Sequence, residues 1–283
     1  MILQYGIHMN KYTYQAIHLL VVCLLMGTCS IFEGPEEISN PFDPSDPDYI
    51  PPVVTFTQAP SEGETVDTCY VEFDWEGNQP SMNNSYRIDE KVWSEWSSDH
   101  SVVYSLLDEG EHNFEIKSRY FNGAESDDPQ AISFTVDDLV GPALTLAPRY
   151  SVGQLNEVVA VEILALDVSE LAMIKVVLNY NPARLTANSV NVFESESLLA
   201  VNGGTVIPFH SINSIVGTIT IEVAVATGNP PSVSGSGGIA RISFTPTSAQ
   251  ICDISFEISS EFRDADNTTI QISDFGNGGV YVQ

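Results

Sequence analysis

The chain has 283 residues, of which 43% are hydrophobic and 17% charged, a balance that excludes a disordered or fibrous protein. Ten Lys and Arg stand against 38 Asp and Glu, and a formal charge of -28 repels phosphate backbones, so nucleic acid is excluded as a partner. At roughly 100 to 200 residues per domain, the length predicts two domains beyond any targeting segment.

The first element is residues 1–28. They contain no Asp or Glu, carry Lys11 in a Met9-Asn10-Lys11 opening, and turn apolar from Leu19 to Met26. Spanning a bilayer takes about 20 apolar residues, so this short run predicts a cleaved signal peptide, not a transmembrane helix. Its end, Leu25-Met26-Gly27-Thr28-Cys29-Ser30, resembles a bacterial lipobox. The resemblance implies that Cys29 is acylated and holds the protein to the membrane, each buried CH2 adding about 0.8 kcal/mol. Ser30 follows the cysteine where an Asp would imply inner-membrane retention, which points to the outer membrane or cell surface of a bacterial envelope. Residues 29–51 then form an acidic, Pro-rich stalk, disordered and stiffened towards polyproline II, with Glu33, Glu36, Glu37, Asp43, Asp46 and Asp48 and no basic residue.

Beyond the stalk, alternation with period two recurs and helical spacing does not, so the folded part is all-β. Residues 52–138 form the first domain. Cys69, Val71, Phe73 and Trp75 fall on one parity and predict an inward row. Strands follow from Val102 to Leu106, His112 to Tyr120 and Ala131 to Val136, with turns at Glu109-Gly110 and Asn122-Gly123, a spacing that predicts a β-sandwich. The run from Tyr86-Arg87-Ile88-Asp89 through Trp93-Ser94-Glu95-Trp96-Ser97 to Ile132-Ser133-Phe134-Thr135-Val136 resembles bacterial fibronectin type III-like modules, of Ig-like fold. Trp93 to Ser97 also spells the WSxWS box of cytokine receptors, but three strands follow it here, whereas that box lies near the last strand. Strand packing is the expected role of Trp75, Trp93 and Trp96, with sugar stacking as the alternative.

After a hinge at Asp137-Asp138-Leu139-Val140-Gly141-Pro142, residues 142–283 form the second domain. Four inward rows are expected: Ala172, Ile174, Val176, Leu178 and Tyr180; Ile219, Ile221, Val223 and Val225; Ala240, Ile242 and Phe244; and Cys252, Ile254, Phe256 and Ile258. Several landmarks keep one order. They are Glu157 to Ile163, Asn179-Tyr180-Asn181-Pro182-Ala183-Arg184-Leu185, Gly237 to Phe244, Phe262-Arg263-Asp264-Ala265-Asp266-Asn267, and Gly278-Gly279-Val280-Tyr281-Val282. Together they resemble a cohesin domain. The resemblance implies a nine-stranded jelly-roll sandwich, related to carbohydrate-binding modules, that receives a dockerin without catalysis. In the type I pattern an Asn and an Asp occupy the outward positions that Met173 and Lys175 fill here. The outward row Met173, Lys175, Val177 and Asn179 is the candidate partner-binding face, suited to an acidic or apolar surface.

Catalytic motifs are lacking. His100, His112 and His210 stand far apart in no metal spacing, and no G-x-S-x-G elbow occurs. Glycoside hydrolysis needs only two carboxylates, which a count of acids does not locate, but both resemblances are to non-catalytic modules. No cofactor is expected. Asp264, Asp266 and Asn267 are weak calcium candidates: an EF-hand loop starting at Asp264 would need Gly and Glu where Thr269 and Phe275 stand, and a polar turn is the plainer reading. Cys69 and Cys252 are expected as inert thiols in separate cores. The function these features predict is a lipid-anchored surface protein whose second domain binds a secreted, dockerin-bearing protein in polysaccharide breakdown. Direct polysaccharide binding and a purely structural spacer are the rivals.

Overall fold

The computed structural model describes residue 10, residues 39–228 and residues 231–282. Apart from residue 10, the signal-peptide segment lies outside the described residues, as does Cys29. By contacts the chain divides into residues 1–51 and residues 52–283.

In the first unit, residues 40–50 depart from the extended run expected of the stalk. The backbone N–H groups of Asp43, Asp46 and Tyr49 donate to the carbonyls three residues back, and the Ile50 N–H closes onto the Pro41 carbonyl at 2.8 Å. Asp43 Oδ1 and Asp46 Oδ1 accept from the N–H groups of Ser45 and Asp48 at 2.9 and 2.8 Å. Asp side chains that bond the backbone two residues on make successive turns cheaper than a straight polyproline helix.

The second unit is all-β and holds two sandwiches. In the first, β1 (Val54–Gln58), β3 (Val71–Gly77) and β5 (Ser101–Tyr104) form one sheet in the order β1-β3-β5. The other sheet is β2 (Glu64–Val66), β7 (Gln130–Val136), β6 (Gly110–Arg119) and β4 (Asn83–Ile88), in the order β2-β7-β6-β4, with β2 parallel to β7. Val71, Phe73 and Trp75 are buried as their parity predicts, while Cys69, just before β3, is half-buried at the edge of that core. Burial pushes the Cys69 thiol up.

The WSxWS segment does something its sequence position did not suggest. It runs along β4, with the Ser94 N–H on the Tyr86 carbonyl and the Ser97 N–H on the Asn84 carbonyl. This lays both indoles over the outward face of the sheet, where Arg87, Lys117 and Arg119 project. Arg87 sits 4.6 Å over the Trp93 ring, Lys117 lies 5.0 and 4.9 Å from the Trp93 and Trp96 rings, and Arg119 is 4.3 Å over Trp96. The result is a five-membered cation–π ladder, neither a core nor an open aromatic platform. Each rung at a half-exposed site contributes about 0.5–1 kcal/mol. Trp96→Ala removes two rungs and is expected to lower stability by about 1–2 kcal/mol in urea titration, whereas Trp96→Phe recovers part of the loss.

The second sandwich begins with β8 (Ala143–Ala147) and β9 (Tyr150–Gly153), one strand interrupted at Pro148, which lacks the N–H to continue a ladder. There follow β10 (Val159–Leu171), β11 (Met173–Tyr180), β12 (Leu185–Val192), β13 (Thr205–Asn213), β14 (Thr218–Thr227) and β15 (Val233–Pro246). The chain ends with β16 (Cys252–Phe256), β17 (Glu261–Arg263), the short β18 (Thr269–Ile270) and β19 (Asp274–Gly276), and β20 (Gly278–Val282). One sheet runs β12-β15-β10-β8-β19 and the other β13-β14-β11-β16-β20-β9, with β17 also on β11. If β8 with β9, and β16 with β17, are taken as single interrupted strands, nine principal strands remain, as the jelly roll requires.

The expected inward rows from Ala172 to Tyr180, Ile219 to Val223, Ala240 to Phe244 and Cys252 to Phe256 are buried, and Val225 packs half-buried against the same core. Ile258 is a correction: expected inward, it is 91% exposed, because β16 stops at Phe256 and a turn closed by the Ser260 N–H on the Glu257 carbonyl carries it outward. Among the described residues no helix is long and apolar enough to cross a membrane.

The segment expected as a hinge is pinned. The Asp137 N–H donates to Val66, the Val140 N–H to Asp274 Oδ2 at 2.9 Å, and the Ser273 N–H to the Pro142 carbonyl at 2.7 Å. Arg149, 5% exposed, spans the junction: Nη1 meets Asp138 Oδ1 at 2.9 Å, Nε donates to the Asn277 carbonyl at 3.1 Å, and its N–H donates to Asp108 Oδ1 at 2.6 Å. A buried guanidinium shared by both sandwiches replaces a free linker.

Candidate functional site

Cross-strand register turns the outward face of the β13-β14-β11-β17 sheet into a grid, because residues paired across antiparallel strands project to the same side. One row reads Ile207, Ala224, Met173, Arg263 and the next Phe209, Glu222, Lys175, Glu261. A third joins Ser211, Thr220 and Val177, and a fourth Asn213, Thr218, Asn179 and Ser255. The sheet therefore brings Met173, Lys175, Val177 and Asn179 onto one strand face, as their alternation predicts, but their environments differ.

Met173 and Lys175 are half-buried, while Val177 is 9% exposed. The Val177 N–H donates to Ser260 Oγ at 3.0 Å and its carbonyl accepts the Glu257 N–H at 2.8 Å, so the segment between β16 and β17 closes over this part of the strand edge. Asn179 is spent inside the sheet: its amide donates to Glu257 Oε1, and its Oδ1 accepts the Thr218 hydroxyl at 3.3 Å. Lys175 lies between Glu222 and Glu261 in register. The Arg263 guanidinium, which grips Glu261 at 2.6 Å, and secondarily Lys175 hold the Glu261 carboxyl below its ordinary value. The face therefore already supplies acidic neighbours for Lys175, which removes the reason to expect an acidic partner there.

What sequence reasoning missed is the apolar rim. Phe209 is 65% and Ile207 46% exposed on edge strand β13, Ile215 and Val216 protrude from the β13–β14 tip, and Ile258 protrudes from the turn between β16 and β17. The tip is fixed by Asn213 Oδ1, which accepts the N–H groups of Ile215 and Val216 at 3.2 and 3.3 Å. At Gly217, with φ +81°, a Cβ would meet the Tyr180 carbonyl, so no other residue fits without moving β11. The signal available in the sequence was the pair Ile207 and Phe209 on one parity of a strand whose other residues are mostly polar.

The calcium candidates form a self-contained turn. Asp264 Oδ1 accepts the N–H groups of Asp266 and Thr268 at 3.0 and 2.7 Å, and Asn267, with φ +65°, closes the β17–β18 hairpin. Among the described residues no group of three or more His, Cys, Asp or Glu side chains is placed to hold a metal. Among the described residues His112 is the histidine with a built environment: Nδ1 meets Asp89 Oδ2 and Nε2 the Asp108 carbonyl, both at 2.8 Å. Burial opposes its charged form, but the Asp89 carboxylate and the Asp108 carbonyl outweigh burial and raise its pKa.

No family model and no curated protein matches the chain. Solved structures do. The sixth cohesin of scaffoldin B from Acetivibrio cellulolyticus, solved in complex with a dockerin, is 18% identical, the match covering 51% of this chain and 100% of that one at a TM-score of 0.41. A non-cellulosomal cohesin from the hyperthermophilic archaeon Archaeoglobus fulgidus is 15% identical over 50% of this chain and 91% of its own, at 0.38. A type I cohesin–dockerin complex from Clostridium thermocellum is 11% identical over 50% and 98%, at 0.41.

Proposed function

We propose that this chain is a non-catalytic surface lipoprotein, tethered through Cys29, whose second sandwich grips a secreted protein partner of the dockerin-bearing kind on the outward face of β13, β14, β11 and β17. The observation that carries the reading is the exposed pair Ile207 and Phe209 on β13, in register with the Met173 and Lys175 rows, together with Ile215, Val216 and Ile258 exposed on the turns that border the same sheet. Exposed apolar side chains gathered on one face and bordered by charge mark a protein-docking surface. Glu261 of the second row is already held by Arg263 of the first, so the contact offered to a partner rests chiefly on the apolar side chains. The order of the cohesin-like landmarks in the second domain supports the choice of partner. The role in polysaccharide breakdown follows from that choice.

Phe209→Asp is the decisive variant, because the residue is exposed and its loss leaves the core intact. Beads carrying the full chain are expected to retain a dockerin-bearing protein from the producing organism's culture fluid, and the variant to bind it about thirtyfold more weakly, as for a central anchor worth about 2 kcal/mol. Equal retention by both, or retention of no dockerin-bearing protein, overturns the reading. In the same cells Cys29→Ser is expected to move the chain from the membrane fraction to the soluble one.

A further inference from the structure

Where the two sandwiches meet, they enclose a cleft of about 730 Å³ that is independent of the docking face. That volume lies within the roughly 300–1,000 Å³ of small-ligand sites, which favour domain junctions. The second sandwich contributes Tyr150 and Tyr281, whose ring centroids lie 3.8 Å apart with 31° between planes, and the first contributes Tyr104, Asp89, Asp108 and Lys91, with His112 also in the lining. Asp89 and Leu106 in this wall hold left-handed backbones, φ 53° and 60°, which non-glycine residues adopt at a cost where the surroundings fix a site.

The lining narrows the ligand by its charge. An anion enters against the field of a chain with net charge -28 and against two carboxylates. A cation is drawn by that same field and by the carboxylates, but it must sit beside the Lys91 ammonium in the lining, which repels it. An apolar molecule strips water from Asp89, Asp108 and Lys91 and gives nothing in return. A neutral polyhydroxylated ring satisfies all of them: its C–H face lies on tyrosine rings, its hydroxyls donate to the carboxylates, and they accept from the ammonium. Asp89 Oδ1 and Oδ2 take the Asn113 N–H and the His112 ring, and Asp108 Oδ1 takes the Arg149 N–H, so each carboxylate is held in place and still keeps lone-pair sites for a ligand.

We propose that this cleft binds a short neutral oligosaccharide. The rings that serve it belong to β9 and β20, which pair with each other in parallel, so the site requires both the end of the chain and the strand that follows Arg149. This places sugar contact at the junction, away from the Trp93 and Trp96 ladder.

Calorimetric titration of the full chain with cellohexaose, xylohexaose and chitohexaose tests it. At least one is expected to bind, with Tyr281→Ala weakening it about tenfold, a loss of the size that one aromatic contact gives. Lys91→Ala, at an exposed position, is expected to weaken the same sugar and serves should the tyrosine variant fold poorly. Trp96→Ala is expected to leave binding unchanged. Failure of all three sugars at millimolar concentration, undiminished binding in both cleft variants, or loss of binding in Trp96→Ala overturns the proposal.

Discussion

Arg149→Met is expected to destabilise the protein by about 3–5 kcal/mol, the usual cost of leaving one member of a buried ion pair without its partner. The guanidinium and the Asp138 carboxylate are 6% and 13% exposed, so water does not replace the lost contact. The loss also removes the donors to the Asn277 and Leu107 carbonyls, one from each sandwich. Urea denaturation is therefore expected to change from one transition to two, as the sandwiches unfold separately. The effect depends on pH through Glu109. Burial first, and then the neighbouring Asp138 charge, raises Glu109 to about 7, while Asp138 itself is held low against burial by its bonds to Glu109 and Arg149. A carboxyl raised above its unfolded value contributes stability that is complete below about 4.5 and lost as pH rises through about 7. Without Arg149, two carboxylates face each other above that point, so the variant's deficit is larger at pH 8 than at pH 5.5. An equal deficit at both, or a loss under about 1 kcal/mol, would show that Arg149 does not neutralise this cluster. Asp138→Asn in the Arg149→Met background is expected to recover part of the stability, since it removes the stranded charge.

The all-β class and the inward rows were legible because a half-buried strand writes its orientation into alternate positions. Phe73, Ile174, Ile221 and Phe244 are buried where parity puts them. Parity says nothing about which strands lie side by side, and so it missed everything set by register. The flanking of Lys175 by Glu222 and Glu261 joins three strands far apart in sequence. The contact of Asp89 with His112, the junction of Asp138 with Arg149, and the tyrosine pair of β9 and β20 are likewise products of topology.

One of these, and the cation–π ladder of the first sandwich, left a trace in the sequence. Arg149 ends a run, Ala143 to Pro148, that is apolar except for Thr145, in a chain with only ten basic residues, and a lone cation there needs a buried partner. Lys117 and Arg119 fall on the outward parity of β6, two residues apart, and Trp93 and Trp96 stand three apart in the preceding segment. Interleaving four such groups in a ladder requires only that the segment lie across the sheet. The placement of the box in the chain was a poor guide because the stack needs two exposed strands with cations, and β4 and β6 supply them wherever the box occurs.

Phe114→Ala is expected to cost about 3–5 kcal/mol, the range for removing a large aromatic from a closed core. Phe114 is fully buried and stands at the centre of the first sandwich's ring cluster. It stacks on Phe73 at 4.0 Å with 17° between planes, and the rings of Phe56, Tyr104, Tyr86 and Trp75 lie 6.0 to 6.3 Å away. The two sheets meet through these side chains, since Phe73 belongs to the β1-β3-β5 sheet and Phe114 to the other. Five close rings around one position cannot collapse into the space without leaving their rotamers, which places the cost at the upper end for such a change. Phe114→Leu refills most of the volume and is expected to cost less than half as much. The second sandwich has its own separate core cluster, so in the Arg149→Met background, where the two unfold separately, its transition in urea is expected to keep its midpoint when Phe114→Ala is added, while the first sandwich unfolds earlier. Near-ultraviolet circular dichroism reads this directly, because all three Trp residues lie in the first sandwich. A tryptophan signal unchanged at the wild-type midpoint would mean that the cluster around Phe114 is not what joins its two sheets.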